Sequence, residues 1–282
     1  MFQKKKPRGA STFANILCKI ITAMKKWNLV ITVLLFILGV LCFVFFDVRP
    51  VKLLSDPDAN KLLCGFLSRL GLSVLFVWLL YQTSGTKVFV FRRDFPRVLL
   101  WSLPCFIVAF VNFPYSVLIK GTASININLL GLYTLFVVGI ALLEELVFRG
   151  VILLIVEDLL KNKKHKPLLT ALICSLIFSL FHLTNLLPPV SSDINSVLLQ
   201  CSYTFLIGGM LTVTMLKGRN IWLCVLIHAV FDFGGLIIEH IGSGSPWDMV
   251  FWIMTITSAV LCAGHILMTL LKLEKDYYVS RN

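Results

Sequence analysis

The run Glu144-Glu145-Leu146-Val147-Phe148-Arg149 puts two adjacent carboxylates and an arginine inside apolar sequence long enough to cross a bilayer. A charge at the bilayer centre costs about 2.5–3.5 kcal/mol even on insertion scales, so such a cluster is a functional signal by default. On a helix Glu145 and Arg149, four apart, share a face and can pair. Glu144 is turned from Glu145 by about 100° and can face a different cavity, free of the arginine. Further apolar segments carry His182, with Phe178 one turn before it, and the pair His228 and Asp232, also four apart. Amide hydrolysis needs an activated water, an oxyanion stabiliser and a proton donor for the leaving amine. Glu144 and His182 would hold and deprotonate the water; His228 and a protonated Asp232 would meet the oxyanion. Each motif by itself also reads as a clamp between helices, and the joint pattern is what favours chemistry. No Gly-x-Ser-x-Gly turn and no His-Glu-x-x-His run is present, which argues against a serine nucleophile or a zincin helix. One glutamate and two histidines (Glu144, His182, His228) could still ligate zinc with an open water position.

The elements that must position these residues are membrane helices. The chain has 282 residues, 58% of them hydrophobic, with a mean hydropathy of +0.89. Its apolar runs are apolar on both faces, which fits helices and not the alternation of a β-barrel. Eight spans are expected, at about 29–46, 62–83, 97–118, 127–149, 167–186, 197–216, 220–239 and 249–271. Residues 10–27 alternate apolar and basic positions and predict an interfacial helix; 150–162 continue the fourth span helically toward an interface. The fold class is all-α: a polytopic bundle with a four-helix catalytic core in spans four to seven. The division is 1–126 (N-terminal segment and three peripheral helices), 127–240 (core) and 241–282 (last helix and tail).

Net charge is +12, but the basic residues follow loop parity instead of marking a nucleic-acid surface. With the N-terminus inside, 20 of the 26 lysines and arginines fall in inner segments and 4 in outer ones; Arg69 and Arg149 lie within spans. Both termini are therefore expected in the cytoplasm. Arg69 is expected to snorkel toward the outer surface. His240, His265 and Glu239, at span ends or on a lipid-facing helix, receive no role. The eight cysteines are scattered without a Cys-x-x-Cys pair and read as small buried hydrophobes. A short cytoplasmic fourth span would let Glu144 face a cavity open to the cytoplasm, shaped by Gly208, Gly209, Gly234 and Gly235.

Glu144-Glu145-x-x-x-Arg149, then Phe178-x-x-x-His182, then His228-x-x-x-Asp232 resembles the three-motif signature of the CPBP family, in order and in spacing. That family comprises the type II CAAX prenyl endopeptidases and the bacterial Abi, or bacteriocin-processing, proteins. The resemblance covers about 127–240. It implies an intramembrane endopeptidase of glutamate type, with Glu144 as base for water and Arg149 ordering Glu145. His182 would help hold the water, and His228 with Asp232 would form the oxyanion site. Family members in eukaryotes carry Asn at the last position; an ionised Asp232 would repel an oxyanion, which makes orienting His228 its alternative task. The implied substrate is a small peptide or a membrane-associated polypeptide, such as a bacteriocin, a pheromone or a CAAX-like tail, in a bacterial cell membrane. No cofactor is expected unless the zinc version holds. Membrane lipid is the surrounding partner. Competing readings are a non-catalytic scaffold or immunity factor, and a proton-coupled transporter, which would show repeated halves.

Overall fold

The computed structural model describes residues 26–85, 87–91, 93–187 and 192–279. The interfacial helix expected over 10–27 falls almost wholly outside them. Helix α1 (Lys26–Phe43) runs into a π-helical turn (Val44–Val48), and α2 spans Pro57–Ser84. Three short helices follow: α3 (Phe95–Trp101), α4 (Leu103–Val111) and α5 (Tyr115–Ile119). Strand β1 (Ala123–Ile125) leads to α6 (Leu130–Glu145), a π-helical stretch (Leu146–Ile152) and α7 (Leu153–Leu159). Helix α8 (Lys166–Phe181) ends in a 3₁₀ turn (His182–Leu186). The chain closes with α9 (Ile194–Gly218), α10 (Ile221–Ile241), β2 (Gly242–Gly244) and α11 (Met249–Val279).

Local chemistry sets the helix starts. Asp56, Asp193 and Asn220 each accept a hydrogen bond from a first-turn backbone N–H, of Ala59 (2.8 Å), Ser196 (3.0 Å) and Leu223 (3.1 Å). Six stretches among the described residues are long and apolar enough to cross a membrane: Val30–Val48, Pro57–Thr83, Lys166–Leu186, Ile194–Gly218, Ile221–Ile241 and Met249–Val279. The segments expected as spans three and four are helical but interrupted. Pro104 sits in the first turn of α4, where a proline is tolerated and a continuous helix would not hold it. Span four changes from α to π winding immediately after Glu145, and the helical path then runs on to Leu159.

Contacts define two ends of the bundle. At the lysine-rich end, Ile221 N–H donates to the Val88 carbonyl (3.0 Å) and Trp222 Nε1 to that of Phe89 (3.0 Å). There Arg219 Nη2 also meets Glu157 Oε1 at 2.7 Å, tying α7 to the α9–α10 turn. At the lysine-poor end, β1 and β2 pair antiparallel, and Asn126 N–H donates to the Ile241 carbonyl (2.7 Å). Ser116 Oγ and Lys120 Nζ both reach Asp248 Oδ2 at 2.6 Å. These bonds, with one from Phe251 N–H, hold the Asp248 carboxyl below the usual carboxylate range. The main core packs α4, α7, α9 and α10 around Leu153, Met210, Leu211, Met215, Cys224 and Ile227, all fully buried.

Glycine permits the closest approach of α10 to the turn after α4. A Cβ on Gly234 would lie 2.8 Å from the Phe113 backbone nitrogen, which cannot swing aside. Gly234→Ala should therefore destabilise the bundle by about 1–3 kcal/mol, the usual cost of overpacking. Thermal unfolding in detergent micelles checks this.

Candidate active site

The residues singled out in the sequence converge. Glu145 and Arg149 are the deepest of them, both essentially solvent-free, with Arg149 Nη1 donating to Glu145 Oε1 at 2.8 Å. The arginine is held further by Nη2 to the Gly208 carbonyl (3.3 Å) and by the Phe178 ring, whose centroid lies 4.2 Å from its guanidinium carbon. Gly208 makes this possible: a Cβ there would stand 3.0 Å from Phe178 Cδ1. The π winding of Leu146–Ile152 carries Arg149 in the same stretch, a distortion that often marks functional sites.

The same Glu145 Oε1 lies 2.7 Å from His228 Nδ1. This contact between α6 and α10 was not foreseen. It fixes the imidazole: Nδ1–H donates to the Glu145 carboxylate, and Nε2 turns toward the cavity. Asp232 Oδ2 is 3.3 Å from that Nε2 and Glu144 Oε2 is 3.8 Å from it. Orienting His228 is thus a task of Glu145, whereas Asp232 stands on the ring's working side. His182, at the end of α8, uses Nδ1 against the Phe178 carbonyl (2.9 Å), which leaves its Nε2 unspent. Phe178 presents an edge-on ring to both histidines, at 5.1 Å from His182 and 5.9 Å from His228.

Glu144, His182, His228 and Asp232 line one cavity of about 170 Å³, contributed by α6, α8 with its 3₁₀ turn, α9 and α10. The side chains of Glu144 and Asp232 keep 22% and 16% exposure, unlike Glu145 at 0%. Sequence reasoning missed the rest of its polar wall: Thr184, Asn185, Gln200, Tyr203 and Thr204. Asn185 Nδ2 donates to Gln200 Oε1 at 2.8 Å, joining the 3₁₀ turn to α9. Asn185 lies three residues after His182, close enough on a helical turn to have been suspected. An apolar groove of about 140 Å³ adjoins the cavity across Tyr203, Phe231 and Asp232, walled by Trp247, Phe251 and Trp252.

Residues 126–234 match the family model described as type II CAAX prenyl endopeptidase Rce1-like. Over that stretch the chain is similar to the CPBP family. It is a multi-pass helical membrane protein with a CAAX-type protease core, and its substrate is a peptide or protein. No curated protein and no solved structure matches the chain.

Three expectations are corrected. Glu144 does not lie near the end of its helix, because the helical path continues past Arg149 to Leu159. Glu144, His182 and His228, the donors of the zinc alternative, line the same cavity; among the described residues no group of three or more His, Cys, Asp or Glu side chains is set to hold a metal ion. Arg69 does not merely snorkel: it pairs with Asp47 at 3.4 Å and packs over Phe136. His265 is not lipid-facing but buried, against the Trp101 ring at 4.3 Å. Of the four glycines expected to shape the cavity, Gly234 and Gly235 line the adjoining groove, and Gly208 and Gly209 pack α9 against α8 and α11.

Arg149→Met removes the guanidinium that pairs with a solvent-free Glu145. Breaking such a buried pair from one side costs about 3–5 kcal/mol. Thermal unfolding should show that loss, and Arg149→Met combined with Glu145→Gln should recover most of it.

Proposed function

We propose that this CAAX-type protease cleaves its substrate by glutamate-activated water, with Glu144 as the base. The observation that carries the reading is the charge arrangement around His228 Nε2. Arg149 neutralises Glu145 at 2.8 Å, and His228, set between Glu145 and Asp232 at 2.7 and 3.3 Å, would neutralise Asp232 once protonated. Glu144 is then the surplus carboxylate, part-exposed to the cavity with no cation of its own. A water between Glu144 and His182 Nε2 would lose its proton to Glu144 and attack the scissile carbonyl. The His228 Nε2–H, aimed by Glu145, would donate to the forming oxyanion, and a donor on an imidazolium offsets the repulsion of an ionised Asp232. Glu144 would then hand its proton to the leaving amine. Arg149 and Glu145 are positioning residues in this scheme and touch no reacting atom.

The substrate we favour is a small peptide or membrane-associated polypeptide, of bacteriocin, pheromone or CAAX-like type. The apolar groove beside Asp232 suits a bulky apolar side chain or lipid group next to the scissile bond. A bacterial cell membrane is the setting that accords with the Abi-type resemblance. The side-chain amides of Asn185 and Gln200 offer partners to the backbone groups of an extended peptide where water is scarce. The scaffold reading gains nothing from this geometry, since a clamp between helices does not require Glu144 to open onto a cavity.

Cleavage of a quenched farnesylated CAAX-tail peptide and of a panel of unmodified peptides tests the reading. Glu144→Gln should lower the rate by about 10²–10⁴-fold, the usual worth of a general base, with folding retained. Wild-type turnover should survive exhaustive chelation. Loss on chelation, restored by zinc alone, would return the metal version.

A further inference from the structure

The two ends of the bundle differ in how they meet the active site. Toward the lysine-rich end, each helix of the site continues into packed core. One turn beyond Arg149 stands Leu153; one turn before Phe178 stands Cys174. Leu211 and Met215 follow Gly208 on α9, and Cys224 and Ile227 precede His228 on α10. All are buried, and five of the six are fully so. On α8, α9 and α10 the polar residues that line the cavity all lie on the other side of these core residues. His228 is seven residues from the start of α10, about 10 Å at the helical rise, so the sealed route is the shorter one.

Toward the lysine-poor end the lining is polar and ends at the surface. Asp232 and Leu236 follow His228 on α10; Thr204 and Gln200 lead back along α9 toward its start at Ile194. Thr184 and Asn185, in the turn beyond α8, complete that wall, and Thr184 is exposed. The adjoining groove opens on the same side, beside the stacked Trp247 and Trp252 (5.3 Å). Tryptophans of this kind sit at membrane–water interfaces.

The traversals between the ends are anchored by contacts, so the loop assignment does not depend on hydropathy alone. The interrupted helices α3–α5 run from the Val88–Ile221 contact to Lys120–Asp248, and α6–α7 return from Asn126–Ile241 to Glu157–Arg219. The described residues of 84–97, 161–166, 217–219 and 272–279 therefore gather at one end, and they hold 11 lysines and arginines. Those at 47–61 and 119–126, at the other end, hold 4. The excess of Lys and Arg marks the cytoplasmic side.

We propose that the active site is entered from the lysine-poor, extracytoplasmic side, and that its substrate class is an exported or surface-tethered polypeptide. The access side stands on packing and charge; the substrate class rests also on the peptidase reading. A cytoplasmic precursor would have to be translocated before it met Glu144. The reaction that supplies this substrate is thus export across the membrane.

Two measurements test it on the full chain. In intact cells, Thr184→Cys and Lys163→Cys are each placed in a background with the native cysteines replaced. A membrane-impermeant maleimide should label Thr184→Cys without permeabilisation and Lys163→Cys only after it. The reverse pattern overturns the access side. Independently of those variants, sealed right-side-out and inside-out vesicles carrying the wild type are given an impermeant quenched peptide. Cleavage by right-side-out vesicles is expected; cleavage confined to inside-out vesicles overturns the proposal. Outside labelling of Thr184→Cys with no cleavage in either orientation leaves the access side standing and counts against the peptidase reading and its substrate class.

Discussion

One carboxylate holds the site together. Glu145 is solvent-free, and its Oε1 accepts from Arg149 on its own helix and from His228 on α10. A buried ion is tolerable only when paired and hydrogen-bonded, because desolvation costs several kcal/mol per charge. Glu145 therefore cannot let go of either partner without large cost, and that rigidity is passed on. It locks α6 to α10 at the level of the cavity and sets which nitrogen of His228 faces Glu144 and Asp232. Arg149 is in turn pinned by Phe178 and the Gly208 carbonyl, so α8 and α9 are drawn into the same knot. The part-exposed carboxylates then differ from Glu145 by environment alone: same chemistry, different neighbours, different task.

What could be read from the chain follows from helical spacing. Glu145–Arg149, Phe178–His182 and His228–Asp232 are each four residues apart, so winding alone makes them neighbours, and each contact is present. The helical class and most long helices were legible for the same reason, as apolar runs of sufficient length. Contacts between helices were not. Glu145 and His228 are 83 residues apart, and their meeting depends on the rotation and tilt of two helices, which no local pattern encodes. The helical continuation over 150–162 was legible, but its π winding was hidden, since i, i+4 spacing reads the same until the winding changes. His265 was misplaced because a lone histidine on a long exposed helix looks peripheral until Trp101 of the broken third segment packs on it.

The same geometry links packing to function. Core residues seal one side of the site, and a polar wall with an apolar groove leads out on the other. A peptide bond brought to Glu144 would leave water only along that wall, where Asn185 and Gln200 offer amide groups. The dry floor beneath strengthens every electrostatic contact of the site. The motif residues and the packing residues thus divide the work: the former set charges, the latter decide from where a substrate can reach them.

The most direct test of this account is a double-mutant cycle on cleavage between Glu145 and His228, using Glu145→Gln, His228→Asn and both together. If Glu145 acts by aiming His228, the double variant should be about as slow as the slower single one, as residues acting as a unit behave. Losses that multiply independently would contradict it.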